Sequence, residues 1–197
     1  MLDPGVISDV SLTLKSFINA GAAKVFPGGG QADLNDLSDP TVKASSLPSL
    51  SIFLFEIMED ASARNEPRVR QTQKNAVVIQ KPPMALQLNY LFTPWTGNFQ
   101  TDQQLLGRVL QLFYEQAILS GPVLQGGLAG SATSLKVTLH TLTLEERTRI
   151  WLALTRPYRT SLSYGVRVVN IDVTQSQTTA SVRNGRLASS ILPGGTP

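Results

Sequence analysis

Between Leu142 and Asp172 the chain passes from a helix signal to a strand signal with only a short break. The run Leu-Thr-Leu-Glu-Glu-Arg-Thr-Arg-Ile-Trp-Leu-Ala-Leu is followed by Thr-Arg-Pro-Tyr-Arg. Then comes Ser-Leu-Ser-Tyr-Gly-Val-Arg-Val-Val-Asn-Ile-Asp. Thr143 and Glu146 have capping-box spacing, which opens a helix reaching Leu154. Arg156-Pro157 stops it, because proline disfavours helical backbone at the residue before it. From Ser161 to Val173, Leu162, Tyr164, Val166 and Val168 fall on one face of an alternating strand. A capped helix thus ends at a proline and runs straight into an alternating strand, and nothing in the stretch has the pattern of a catalytic group.

Similar punctuation divides the rest of the chain. Asp3-Pro4 reads as N-cap and first turn of a helix carrying Val6, Ile7, Val10, Leu14, Phe17 and Ile18, with Ser8, Asp9 and Lys15 facing away. It ends at Asn19-Ala20-Gly21. Residues 27–48 form a long polar loop, a kind more often functional or mobile than inert. Leu50–Met58 is apolar on both faces and predicts a central strand. Asp60–Lys74 is charged and turn-rich, and Ala76–Gln80 is a candidate short strand. After Pro82-Pro83, residues 84–93 alternate, with Met84, Leu86, Leu88, Tyr90 and Phe92 inward and Gln87 and Asn89 on a wetter face.

Thr101–Gln104 has capping-box spacing for a helix to about Leu119, with Gly107 implying close packing inside it. Gly121–Ser134 is a loop, and Leu135–Leu142 a further strand. The expected fold is α+β: a mixed, mainly antiparallel sheet of about four strands packed by three helices. Residues 1–173 form one domain, and 174–197 a polar, acid-free tail or arm with a hairpin signal at Asn184-Gly185.

With 197 residues and 42% apolar content, the chain can bury a core. Its net charge of +3 is uneven. From Lys136 onward there are eight Lys/Arg against three Asp/Glu, a balance of +5. Before it there are nine against eleven, a balance of −2. This suits an acidic partner surface better than nucleic acid, which calls for a dense basic stripe. There is no cysteine, so disulfide and thiolate chemistry are excluded. No apolar run reaches the roughly 18 residues that span a bilayer. The N-terminus lacks a secretory pattern, so cytoplasmic synthesis and folding are expected.

Catalytic constellations are hard to find. The single histidine, His140, falls on the outward phase of a strand beside Lys136 and Thr138, with no paired nucleophile. Glu145 and Glu146 are adjacent on a helix and do not face each other. They suit its N-terminal dipole. Asp33, Asp36 and Asp39 lack the glycine and terminal glutamate of a calcium loop. Gly126-Gly127-Leu-Ala-Gly130 lacks a Gly-Lys-Ser/Thr ending and precedes a strand, so it is not a phosphate loop. Neither an enzyme, a metal site nor a cofactor is expected. The candidate contact residues are Arg64, Arg68 and Arg70 in a basic loop, Arg156, Arg159 and Arg167 around the last strand, and Arg183 and Arg186 in the tail. Trp95, in the turn Thr93–Gly97, is a candidate exposed aromatic anchor. Trp151 and Tyr158 read as core or boundary aromatics.

Several segments together resemble one family. They are Val6–Leu14, Leu50–Ile57 with Arg64–Pro67, Pro82–Thr93, Leu105–Gln111, Leu144-Glu-Glu with Trp151, Pro157–Arg159 and Tyr164–Val169. In order and spacing they are similar to the N-terminal domain of cap, or tail-terminator, proteins of extracellular contractile injection systems. These are phage-tail-like particles of the antifeeding-prophage and virulence-cassette type. The resemblance spans about Val6 to Asp172. It implies a structural protein that forms a six-fold ring, binds the last inner-tube and sheath rings, stops their growth and joins them. It also implies assembly in the bacterial cytoplasm into a particle that is released or anchored. The rival reading, drawn from the pI of 9.4, is a module binding nucleic acid or another acidic surface. By β-augmentation, the last strand or the tail would take up a partner strand.

Overall fold

The computed structural model describes residues 4–26, 29–37, 49–60, 69–73, 76–80, 84–171 and 176–180. In chain order the elements are α1 (Val6–Ala20), α2 (Ala22–Val25), β1 (Ala32–Leu34), β2 (Leu50–Glu59), β3 (Val69–Gln73) and β4 (Ala76–Gln80). Then come β5 (Met84–Pro94), α3 (Phe99–Glu115), β6 (Ile118–Ser120), β7 (Ser134–Leu139), α4 (Leu144–Ala153), β8 (Leu162–Ile171) and β9 (Ser176–Ala180).

The long alternating segments become the centre of a six-stranded sheet ordered β1-β2-β5-β8-β7-β6. Every pairing is antiparallel except β1 with β2. The α+β class and mixed sheet are as expected, but the sheet has six strands rather than about four. The two extra strands are three-residue edges, too short to show alternation. β1 is held by the Asn19 carboxamide, which takes the Ala32 N–H and donates to the Ala32 carbonyl, both at 2.9 Å. The fourth helix, α2, is a single turn after Gly21.

A second sheet, β3-β4-β9, follows the same chain order. β3 comes after β2, β4 leads into β5, and β9 follows β8. The last pair of the first sheet, Met84–Ile171, and the nearest pair of the second, Gln80–Ser176, lie four residues apart on one strand and five on the other. The segment expected as a tail or arm thus begins with a strand; Asn184-Gly185 lies outside the described residues.

The main core lies between one sheet face and α1 with α3. Val10, Leu14, Ile18, Leu88, Tyr90, Phe92, Val109 and Val166 are buried there. Phe113 is its aromatic hub, with ring centroids 5.8 Å from Phe17, 5.7 Å from Phe92 and 4.9 Å from Tyr164. Each large apolar side chain buried this way contributes roughly 1.5–3 kcal/mol. The Tyr90 and Ser11 hydroxyls bond at 2.8 Å, so the buried phenol is satisfied.

Several local expectations change. α1 begins at Val6 with Gly5 as N-cap, not at Asp3-Pro4. Asp9 is buried rather than outward and accepts from the Gly127 N–H at 2.9 Å. The Thr13 hydroxyl accepts from the Gln125 N–H at 3.0 Å. The glycine-rich loop is therefore clamped to α1. A side chain at Gly126, whose φ is +61°, would collide with Asp9.

α3 is capped by Asn98, whose Oδ1 accepts from the Gln100 and Thr101 N–H groups, and it ends at Glu115. Thr101 is already inside it. Space is open where a Gly107 side chain would sit, so close packing is not its reason. β8 lies inside the sheet, bonded to β5 and β7, and cannot take up a partner strand there. Among the described residues no helix is long and apolar enough to cross a membrane.

Candidate interaction site

The opposite sheet face carries a smaller apolar cluster. Phe53 and Phe55 alternate onto it from β2, and Leu91 from β5. α4 lies over this end through Trp151, which packs with Trp95, Leu91 and Leu37. Trp151 is 1% exposed. Only the first half of β2 is covered on both faces; Ile57 and Met58 are exposed.

Trp95 follows Pro94, the last residue of β5. It is 8% exposed, which corrects the expectation of an exposed anchor. Three contacts keep it in. Its indole N–H donates to Ser51 Oγ at 2.9 Å. Its ring meets Trp151 edge-on at 6.2 Å. The Arg159 guanidinium lies 4.5 Å above the ring centroid. Arg159 in turn donates to Asp102 Oδ2 at 2.9 Å. Asp102 Oδ1 accepts from the Thr96 N–H at 3.0 Å and the Thr96 hydroxyl at 2.7 Å. Carboxylate, guanidinium and indole thus form one stack, in which each charged or polar group has a partner.

Arg156 approaches the same ring at 5.8 Å and donates from Nε to the Leu37 carbonyl at 3.1 Å. Leu37 (φ +55°) and Thr155 (φ +52°) are the non-glycine residues with left-handed backbone among those described. Both flank Arg156. Such strain persists where the surroundings over-determine it, and it clusters at functional sites.

Beside this stack lies a groove of about 490 Å³. Pro94, Trp95, Leu106 and Pro157 form much of its lining, and Arg156, Arg159 and Asp102 its polar part. Phe99 and Tyr158 stand at it 71% and 42% exposed. Aromatic and proline surface with arginine and one paired carboxylate has the chemistry of a protein contact. Asp102 and Phe99 were not foreseen. Asp102 looked like part of a helix cap, and its partner Arg159 is 57 residues away in sequence.

The structure therefore gathers Trp95, Arg156 and Arg159, but not Arg167. Arg167 projects from β8 elsewhere on this face, its Nε 3.4 Å from Asp60 Oδ2. Arg70 lies in β3 opposite Ile79. Arg64, Arg68, Arg183 and Arg186 fall outside the described residues. Glu145 pairs with Arg149 at 2.7 Å, and Glu146 completes the capping box with Thr143. The Thr143 N–H, then its hydroxyl, holds the Glu146 carboxyl below its usual range. Asp33 bonds Lys15 at 2.6 Å, which lowers its pKa. Among the described residues no group of three His, Cys, Asp or Glu gathers to hold a metal ion.

The model of one family, the Pvc16 N-terminal domain, matches residues 9–184. The chain belongs to this family. Among solved structures, this Pvc16 N-terminal domain is similar to the sheath/tube terminator of an extracellular contractile injection system, PVC, in its extended state. The TM-score is 0.58 at 19% identity, over 96% of this chain and 64% of that one. It is also similar to the anti-feeding prophage cap, a tube-terminating cap, with a TM-score of 0.54 at 20% identity over 88% and 60% of the two chains. The chain spans less than two thirds of either structure's length. No curated protein matches it. The resemblance read from the sequence is borne out at the level of family and fold.

Proposed function

We propose that this chain is a structural cap of a contractile injection system. It forms a ring, probed below as six-fold, that binds the distal end of the inner tube and the sheath, ends their polymerisation and joins them. The observation that carries this reading is the family match over residues 9–184, in a fold shared with two terminator caps. A terminator must bind a growing end while offering nothing to the next subunit, and a closed ring of head-to-tail contacts uses up the lateral surfaces. The Trp95 groove and the basic positions Arg64, Arg68, Arg70, Arg183 and Arg186 are its candidate contacts with tube and sheath. Residues 174–197 serve as an arm. The chain is made in the bacterial cytoplasm and assembled there into a phage-tail-like particle.

Negative-stain microscopy tests this. Purified chain mixed with tube and sheath should give six-fold rings and capped ends, and deleting the protein should give particles of irregular length. Particles of normal length in the deletion strain, with no binding to either end, would overturn it. A salt-dependent DNA shift would support the nucleic-acid reading instead.

A further inference from the structure

Of the three long helices, α4 is the least anchored. Among the described residues α1 buries eight of its residues and α3 five, whereas α4 buries only Trp151. Polar side chains of α1 and α3 reach other elements, as Asp9 does to Gly127 and Asp102 to Arg159. Those of Leu144–Ala153, among the described residues, bond only within the helix and its cap. Thr148 donates to the Leu144 carbonyl, Arg149 to Glu145, and Glu146 accepts from Thr143. A helix of 10 residues is marginal alone in water, so α4 depends on its seat.

That seat is poorly matched. Five buried side-chain polar atoms lack a hydrogen-bond partner among the described residues: Thr93 Oγ1, His140 Nδ1, Arg147 Nε, Trp151 Nε1 and Ser163 Oγ. Arg147 and Trp151 belong to α4. The other three lie on the sheet face it covers. Ser163 stands opposite Leu91, which packs with Trp151, and Thr93 is the next residue on that face of β5. The His140 N–H donates to the Ser163 carbonyl at 2.8 Å. Each unpaired group subtracts from what burial of the Trp151 indole contributes.

The exit from α4 is strained as well. The Arg156 N–H donates to the Trp151 carbonyl at 3.2 Å and the Thr155 N–H to the Leu152 carbonyl at 3.0 Å. In this kind of helix end the left-handed residue is usually glycine. Here it is Thr155 (φ +52°), whose branched side chain is disfavoured there. The residues immediately following, Arg156–Thr160, line the groove, and so does Trp95, the ring that Trp151 meets edge-on.

We propose that α4 is a hinged flap. It lifts from the sheet about the Thr155–Pro157 junction while the main core stays folded, and the groove is fully formed only when α4 is seated. By linkage, a molecule held in the groove favours the seated helix as strongly as the seated helix favours that molecule. This coupling holds whichever partner fills the groove, so it stands or falls apart from the cap reading.

Amide hydrogen exchange of the full chain, followed residue by residue by NMR, tests both parts. Amides in the middle of α4 should exchange roughly thirtyfold faster than those in the central turns of α1, through an opening well short of global unfolding. Equal protection would mean that the five groups are satisfied in solution, and the flap falls. Coupling is read away from each substitution. Thr143→Ala, at the end of α4 remote from the groove residues, should speed α4 exchange about fivefold through loss of the cap. The Thr96 N–H, held at the groove by Asp102 Oδ1, should then speed by about twofold or more. In the other direction, Arg159→Gln takes the guanidinium off the Trp95 ring and should speed α4 exchange about threefold with α1 unchanged. If Thr143→Ala loosens α4 alone, or Arg159→Gln leaves α4 as it was, helix and groove are independent and the coupling is wrong. Thr143 is exposed, so if Arg159→Gln fails to fold, the Thr96 response to Thr143→Ala decides.

Discussion

Trp151→Ala is the most direct test of how the second sheet face is held. Trp151 is the one buried residue of α4, and it closes a cluster whose other buried members are Leu37, Leu91 and Trp95. Removing a buried indole costs about 3–5 kcal/mol. For a chain of this size, each kcal/mol shifts Tm by roughly 2–4 °C, so a fall of roughly 6–20 °C follows. Because the main core lies on the other sheet face, near-UV circular dichroism should register the loss of Trp95 packing before far-UV helix and sheet signals change. A second substitution separates shape from polarity. Trp151 Nε1 is buried without a hydrogen-bond partner among the described residues, and such a donor costs about 1–3 kcal/mol. Trp151→Phe removes that donor while keeping most of the ring, so the gain offsets the lost contacts and stability should stay within about 1.5 kcal/mol of the parent. Urea denaturation of both variants decides the matter. A Trp151→Ala variant within about 2 °C of the parent, or a Trp151→Phe variant equally damaged, would refute the reasoning.

Thr143→Ala removes the capping box of α4 and should cost about 1 kcal/mol, read by chemical denaturation and by faster amide exchange across residues 144–153. Burial pushes the Tyr90 and Tyr164 phenols up from 10.0 to about 12. The unfolded chain therefore ionises first, and their contribution to stability, complete below pH 10, is lost as pH rises toward 12. Thermal melts between pH 9 and 12 should show this, with a shallower slope in Tyr90→Phe and Tyr164→Phe. Phe99→Ser with Tyr158→Ser, both exposed at the groove, should change stability by less than about 0.5 kcal/mol each yet weaken binding to tube or sheath ends in a pelleting assay. Unimpaired binding would remove the groove from the contact surface.

The sequence was most legible where one physical signal dominates. Alternation placed β5 and β8, and the Thr143–Glu146 spacing placed α4 to within a residue. It was least legible where tertiary partners decide. β1 exists because Asn19 reaches across to Ala32, and no local pattern in residues 32–34 announces a strand. The start of α3 was misplaced because Asn98 precedes the exposed Phe99, so the cap does not border an apolar run. Asp9 sat on the polar side of a helical pattern, yet its carboxylate is needed by a loop more than a hundred residues away. The groove shows the same division. Trp95, Arg156 and Arg159 were chosen for their chemistry alone, while the carboxylate that joins them was assigned to a cap. Sequence proximity groups Arg167 with them, but its position on β8 directs it to the unhelixed part of the sheet.

The long ladder between β5 and β8 in the six-stranded sheet has a mechanical consequence. A pull applied along β5 or β8 loads that ladder as shear, with many hydrogen bonds strained together rather than peeled one after another. β5 and β8 are also the two central strands of the larger sheet, anchored on both sides. A chain built this way resists load along that axis and yields most readily to a force that separates its three-residue edge strands sideways.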